Sequence, residues 1–392
     1  DVCSSDLVKK LRMLINQTIT LSPDKFGYYK VGDFKTYSKI EAIEISNKLK
    51  TPSQWYFNEN VYSKINWLEE PSVDLWELYK QRARQIRENY DYVVLWYSGG
   101  SDSHNMLNAW IEADCKIDEI ATIWNYEADD NRQSHFNAEI TNVVLPDIEF
   151  LQKQGLEFKF RLVDISEFCL KLFTDFSLNF EYFFNRFPSP NNPARGLFRK
   201  YIDDYKNIIS QGKKLCFVWG VEKISLYQNS KGKFIQFNDC LDNCVSPYVQ
   251  SKFNEGWYDE LFYWSPDSPL IPIKQAHIIN NFMKTVKDVS YYQDKPTTYG
   301  FNEQLNQFIK VETIKTLLYP KWSNKIFCNG KAASFMFSER DRWFLQSNLT
   351  EQTKYFSITN SVYKKLGTEW ISTQNYRNIV PHQTCEYYID LK

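Results

Sequence analysis

Short apolar runs alternate with stretches of helical spacing through the middle of the chain. Val93–Tyr97 (VVLWY) is a short apolar run of the kind a parallel sheet buries on both faces, Glu119–Trp124 (EIATIW) is a second buried-strand candidate, and Phe158–Val163 (FKFRLV) and Leu215–Trp219 (LCFVW) are a third and a fourth strand. Between them, 104–113 and 137–154 have helical character, with Pro146 expected to interrupt the second. This alternation predicts right-handed crossovers and a doubly wound parallel α/β sheet, to which Lys233–Phe237 would add a fifth strand. Upstream, Phe26–Ser38 carries a Gly-Asp pair between aromatic runs and predicts a hairpin, while 39–49 and 75–90 predict helices. Downstream the alternation fades near residue 240, and 273–286 and 304–318 predict helices. The expected organisation is an N-terminal α+β segment (1–85), a central α/β domain (86–240) and a helix-rich C-terminal region (241–392).

Composition narrows the class. Aromatic residues make up 17% of the 392 positions, enough to bury a sizeable core and to exclude wholesale disorder. The formal charge of -1 provides no global basic field for nucleic acid. No stretch approaches 18 uninterrupted apolar residues, so no membrane partner is expected. The eight cysteines are scattered, which fits reduced thiols and a cytoplasmic location. The chain opens on Asp1 rather than Met, so its true start is left open.

One segment carries chemistry. After the first predicted strand of the sheet comes Ser98-Gly99-Gly100-Ser101-Asp102-Ser103, and then a helix. Adjacent glycines permit a tight turn and close approach to a ligand. A helix N-terminus attracts anions, and Asp102 supplies a carboxylate that could hold Mg²⁺ against phosphate oxygens. The chain has no GxxxxGK[ST] loop, and the turn is not GxGxxG. The bland alternative is an ordinary βα turn with N-capping. The segment resembles the SGGxDS PP-loop of the ATP pyrophosphatase superfamily: Ser98, Gly99, Gly100, Asp102 and Ser103 match, and Ser101 fills the variable slot. The resemblance covers about residues 86–240 and implies a HUP-like nucleotide-binding domain. It also implies ATP with Mg²⁺, cleavage between the α and β phosphates, and adenylylation of an acceptor with release of pyrophosphate. The family's adenine pocket would fall on Ile123, Trp124 and Asn125. The segments KVGDFKTYSKIEAIE and RARQIRENYDYVVLWYSGGSDS resemble PP-loop proteins of tailed phages, which would place the chain in a host cytoplasm.

Other candidates are weaker. Gly220 and Lys223 follow the fourth strand; Gly220 permits close backbone approach, and Lys223 would supply a cation to a β phosphate, making Asp102 and Lys223 the expected catalytic pair. Arg195 and Arg199 share a helix face suited to an anion or simply to solvent. Asn137, Glu139 and Thr141 could line the acceptor side, and Asp129 and Asp130 could hold metal; capping and solvation are the plainer readings. His104 could meet a phosphate or act as a base, or merely pack. His277 and His382 have no nucleophile signature beside them. Cys240 and Cys244 lack a second pair with zinc-ligand spacing. Cys385 near His382 keeps a phosphoadenylyl-sulfate reductase-like alternative in view, and a non-catalytic nucleotide-binding module is the third reading. No amidotransferase domain or four-cysteine zinc cluster is recognisable. The acceptor is left as a small molecule or an RNA, and homo-oligomerisation is left open.

Overall fold

The computed structural model describes residues 23–124, 139–168, 196–221, 223–224, 226–239, 253, 255–285, 311–321 and 383–391. A three-stranded antiparallel sheet opens it: β1 (Tyr28–Val31), β2 (Phe34–Thr36) and β3 (Gln54–Tyr56), in the order β2-β1-β3. The expected hairpin joins β1 to β2, with Val31 opposite Phe34 and Gly32 at φ +60° in the turn. The helix α1 (Lys39–Leu49) starts where Ser38 accepts a hydrogen bond from the Glu41 amide (3.1 Å). The short α2 (Glu59–Tyr62) follows. The next helix, α3 (Leu75–Asn89), is capped by Asp74 and buries Leu75, Leu78, Tyr79, Arg82, Ala83 and Ile86, the spacing of a single helix face.

The central sheet has five parallel strands in the order β10-β7-β4-β5-β6. They are β4 (Tyr92–Trp96), β5 (Glu119–Trp124), β6 (Lys159–Asp164), β7 (Leu215–Trp219) and β10 (Trp257–Leu261). From β4 the chain steps outward to β5 and β6, then returns to the other side of β4 for β7 and β10. The strand order therefore reverses between β4 and β7, the kind of position at whose carboxyl ends open α/β sheets bind ligands. Both strands finish level, since Trp96 is the register partner of Trp219.

Two neighbouring acids on β10 show that both faces of this sheet are covered, because successive strand residues point to opposite sides. Glu260 accepts from Arg82 of α3 (2.6 Å) and from Lys25 (2.5 Å). Asp259, on the other face, accepts from Arg199 (2.6 Å), which lies in the 3-10 turn Phe198–Tyr201. On β4 side chains alternate in the same way: Trp96 meets Phe198 on the face of Asp259, and Val93 and Leu95 are buried on the other. After β4 comes α4 (Ser101–Glu112). Between β5 and β6, a π-helical turn (Ile140–Val144) runs straight into α5 (Leu145–Lys153). Pro146 therefore does not break the helix: it sits in the first turn of α5, where a missing N–H costs little. Leading to β7 is α6 (Asp203–Ser210), whose Tyr205 packs edge-on against Phe217.

Lys233–Phe237 does not supply the fifth parallel strand. The segment forms β9 (Gly232–Ile235) in a separate antiparallel sheet, ordered β11-β9-β8, with β8 (Leu226–Asn229) and β11 (Tyr387–Leu391). Of two C-terminal helices, α7 (Leu270–Thr285) overlaps the expected 273–286 but starts three residues earlier, and α8 (Val311–Leu318) lies within the expected 304–318. The N-terminal and C-terminal additions share one aromatic cluster: Tyr62 packs on Phe237 (4.4 Å between centroids), Trp67 on Tyr387 (5.0 Å) and Phe237 on Trp264 (5.1 Å). Among the described residues no helix is long and apolar enough to cross a membrane.

Candidate functional site

The Ser98–Ser103 turn leaves β4 at the point where the strand order reverses. Gly99 has φ +77°, and a Cβ there would lie 3.0 Å from the Glu139 carbonyl oxygen and 3.0 Å from Val144, so the turn is closed over by the π-helical segment. Gly100 caps α4 with extended backbone (φ −77°, ψ 159°). The first helical hydrogen bond runs from the His104 amide to Gly100 O (2.9 Å), so the helix itself offers no acceptor to the amides of Ser101, Asp102 and Ser103. Ser103 Oγ donates to Gly100 O (3.0 Å) and accepts from the Ser98 amide (3.2 Å); Ser98 Oγ accepts from the Gly100 amide (3.3 Å). Two serines thus brace the turn from inside. Ser98 is exposed, whereas Gly99, Gly100, Ser101 and Ser103 are buried.

Gly220, just past β7, abuts this turn. A Cβ on it would stand 3.0 Å from both the N and Cα atoms of Ser103, so the two carboxyl-end loops meet backbone to backbone. Lys223, three residues on, donates to Asp102 Oδ1 (2.5 Å), and both side chains are about one quarter exposed, at 25% and 28%. Asp102 has further donors. Tyr319, directly after α8, gives its hydroxyl to the same Oδ1 (2.5 Å), and Tyr263 gives its own to the Asp102 carbonyl (2.7 Å). Asn105 donates to the Tyr263 hydroxyl (3.0 Å). Burial, together with the Asp102 charge, pushes the Tyr319 phenol far above its ordinary range, so it stays a donor.

The opposite flank holds a second cluster. Tyr97 donates to Asp147 of α5 and lies 3.0 Å from His104 Nδ1, which is itself 3.2 Å from Asp147. His104 is therefore tied to a phenol and a carboxylate, as Tyr97 and Asp147 join the base of the turn to α5.

Farther along, β5 outruns β4. Its pairing with β4 extends only to Ala121, and the Tyr97 amide donates to Ala121 O (2.9 Å), whereas its pairing with β6 continues to Trp124. The Trp124 carbonyl accepts from Ile165 on the β6 side (2.9 Å). By the alternation of a parallel ladder, Ile123 presents its N–H and C=O on the other side, past the end of β4. Asn125 lies outside the described residues, as do Asp129, Asp130, Asn137, Arg195, Cys240, Cys244 and His382.

The structure thus brings together Ser98–Ser103, Gly220 and Lys223, with Ile123 and Trp124 at the end of the next strand. It removes Arg199 from any solvent or anion face: Arg199 is fully buried, pairs with Asp259 and lies over the Phe217 ring (4.4 Å). Apolar burial on one side and a buried acid on the other made it a core residue. His277 is also a packing residue, its Nε2 lying 2.9 Å from the Trp67 carbonyl. Glu139 contributes its backbone to the wall over Gly99, and Thr141 is half-buried in the π-helical turn. Tyr97, Asp147, Tyr263 and Tyr319 were not expected at the site. Tyr97 precedes Ser98 and was within reach of local reasoning; the other three arrive from distant segments.

Among the described residues no group of three or more His, Cys, Asp or Glu side chains forms a metal-binding cluster. No protein-family model matches the chain, and no curated protein matches it at a significant level.

Proposed function

We propose that the Ser98–Ser103 turn is a PP-loop that binds the phosphate tail of ATP, and that the protein adenylylates an acceptor with release of pyrophosphate. The observation that carries this reading is the meeting of the turn with Gly220 and Lys223 at the strand-order reversal. Open α/β sheets bind ligands at such a reversal. The α4 amides would hold phosphate oxygens, and Lys223 would supply the cation that the turn lacks. Together they stabilise the negative charge of departing pyrophosphate, while the backbone of Ile123 offers a donor and an acceptor for a base edge. Trp124, largely buried, closes the end of the strand.

Mg²⁺ fits this donor set in a limited way. Asp102 is a hard oxygen ligand, and Mg²⁺ commonly takes one or two carboxylates, with phosphate oxygens and water completing the shell. When bound, Mg²⁺ would neutralise phosphate charge; the chain's own residues orient the tail.

The reductase-like alternative would need a reactive thiol at Cys385. Burial raises that thiol above its ordinary value of 9.0, the reverse of what a nucleophilic cysteine requires. The near-neutral charge lends no support to an RNA acceptor.

Incubation with α-labelled ATP and candidate acceptors tests the chemistry. Labelled AMP or an adenylylated product, with pyrophosphate, is expected. ADP and phosphate alone would sink it, and tight ATP binding without turnover across the acceptor screen would favour a non-catalytic module. An active Cys385→Ser variant removes the reductase alternative.

A further inference from the structure

Lys223 and Tyr319, which both donate to Asp102 Oδ1, differ in what they can do. Lys223 is a flexible side chain, about one quarter exposed, on a loop. Tyr319 is fully buried and fixed. Its ring lies 5.7 Å from that of Tyr263, its amide donates to Lys315 O (2.7 Å), and the preceding carbonyl, of Leu318, accepts from Tyr79 (3.1 Å). Tyr79 in turn accepts from Gln275 of α7 (2.9 Å). Two residues beyond Tyr319, Lys321 pairs with Glu112 at the far end of α4 (2.8 Å). Residues 318–321 are thus tied to both ends of α4 and to α3, and the Tyr319 hydroxyl is presented to Asp102 from this anchored stretch.

We infer that Tyr319 is a positioning residue that lets Lys223 leave Asp102 for an incoming phosphate. The inference rests on reading Lys223 as a phosphate ligand. In the structure Lys223 is committed to Asp102, so an anion must compete for it. Withdrawing the ammonium would leave a largely buried carboxylate with one donor fewer, which carries a desolvation cost. Tyr319 donates to the same oxygen and cannot follow Lys223, so it keeps that oxygen hydrogen-bonded throughout the exchange. The C-terminal segment is in this way part of the site: it sets how readily the Lys223 ammonium can be released. Asp102 acts as the resting place of Lys223, and Tyr319 makes that resting place reversible.

The test uses the full chain with inorganic pyrophosphate in EDTA, which reports on Lys223 without metal, and with Mg²⁺-ATP as a second probe. Tyr319→Phe keeps the ring packed against Tyr263, and a thermal melt checks the fold. The Tyr319 bond is present before and after Lys223 leaves, so its removal forfeits only the extra strength it gains on a carboxylate no longer neutralised by the ammonium, and this is expected to weaken pyrophosphate binding by about fivefold to tenfold. Asp102→Asn removes the competing charge and is expected to tighten metal-free pyrophosphate binding. In the Asp102→Asn background, and in the Lys223→Met background, Tyr319→Phe should have no further effect, because Tyr319 acts only through that pair. Equal weakening in all backgrounds, unchanged affinity in the single variant, or a Tyr319→Phe protein that does not fold would each overturn the inference in favour of a purely structural tyrosine. A wild-type chain that binds neither pyrophosphate nor Mg²⁺-ATP would instead remove the phosphate reading of the site itself.

Discussion

At the scale of single residues, the site depends on backbone that passes too close to its neighbours for side chains. Gly99 combines positive φ with a wall 3.0 Å from where a Cβ would sit, so Gly99→Ala is expected to destabilise the fold by about 1–3 kcal/mol and to lower ATP affinity. Gly220 has no such dihedral constraint, but its Cβ would press on Ser103 N. Gly220→Ala should therefore displace the α4 N-terminus and weaken nucleotide binding more than it lowers the melting temperature; an equal loss of both would point to packing alone. Asp102→Asn is expected to weaken Mg²⁺-ATP binding far more than it perturbs folding, as measured by titration calorimetry beside a thermal melt. Matching losses would recast Asp102 as a structural cap. The glycines and Asp102 were legible in the sequence because a tight turn before a helix has a local composition. Tyr319 was not, because nothing in KTLLYPK marks a residue that reaches a turn more than 200 positions away.

At the scale of elements, the central sheet shows how burial overrides local texture. The strands β4, β5 and β7 are almost wholly apolar and were recognisable. The fifth strand, β10, reads WYDEL and places two acids side by side in the interior. It works as a strand because each acid meets an arginine supplied by another element, Arg199 on one face and Arg82 on the other. Removing one partner of such a pair strands a buried charge. Arg199→Met should cost about 3–5 kcal/mol in urea unfolding, and Arg199→Met with Asp259→Leu should recover most of it. If the double variant is as unstable as the single one, the Phe217 and Phe253 contacts of Arg199, and not its charge, hold that face together. The antiparallel β9 was mistaken for part of the parallel sheet because a stretch as short as GKFI carries no information about its partner strands.

At the scale of the whole molecule, buried ion pairs link acid stability to the architecture. Burial opposes ionisation of Glu260, but Lys25 and Arg82 outweigh it and hold its carboxyl below the ordinary value of 4.5. A depressed folded-state value means that the stability from this pairing is present above pH 4.5 and is lost as pH falls through the lower, folded value. Asp118, held down by Lys116 and Arg87 against its own burial, adds a second loss of the same sign below its ordinary value of 3.8. The melting temperature is expected to drop steeply on acidification from pH 6 to pH 3. Glu260→Gln should start lower at neutral pH and fall less over that range, as followed by circular dichroism. A parallel fall in both proteins would mean that acid unfolding is governed elsewhere. Glu260 joins α3, β10 and the segment preceding β1, so its loss should be felt across the N-terminal addition and the sheet together.

Periodicity and turn composition alone determined the α/β class, most of the helices, four of the five parallel strands and the glycine-rich Ser98–Ser103 turn, because each is written in neighbouring residues. Tertiary structure decided the strand order, which puts β7 rather than β6 beside β4 and so brings Gly220 and Lys223 to that turn. It also decided the identity of the fifth strand, the burial of Arg199 and the convergence of Tyr263 and Tyr319 on Asp102. These depend on which surfaces meet after folding, and charge compensation or close approach between segments remote in sequence leaves no local pattern to read.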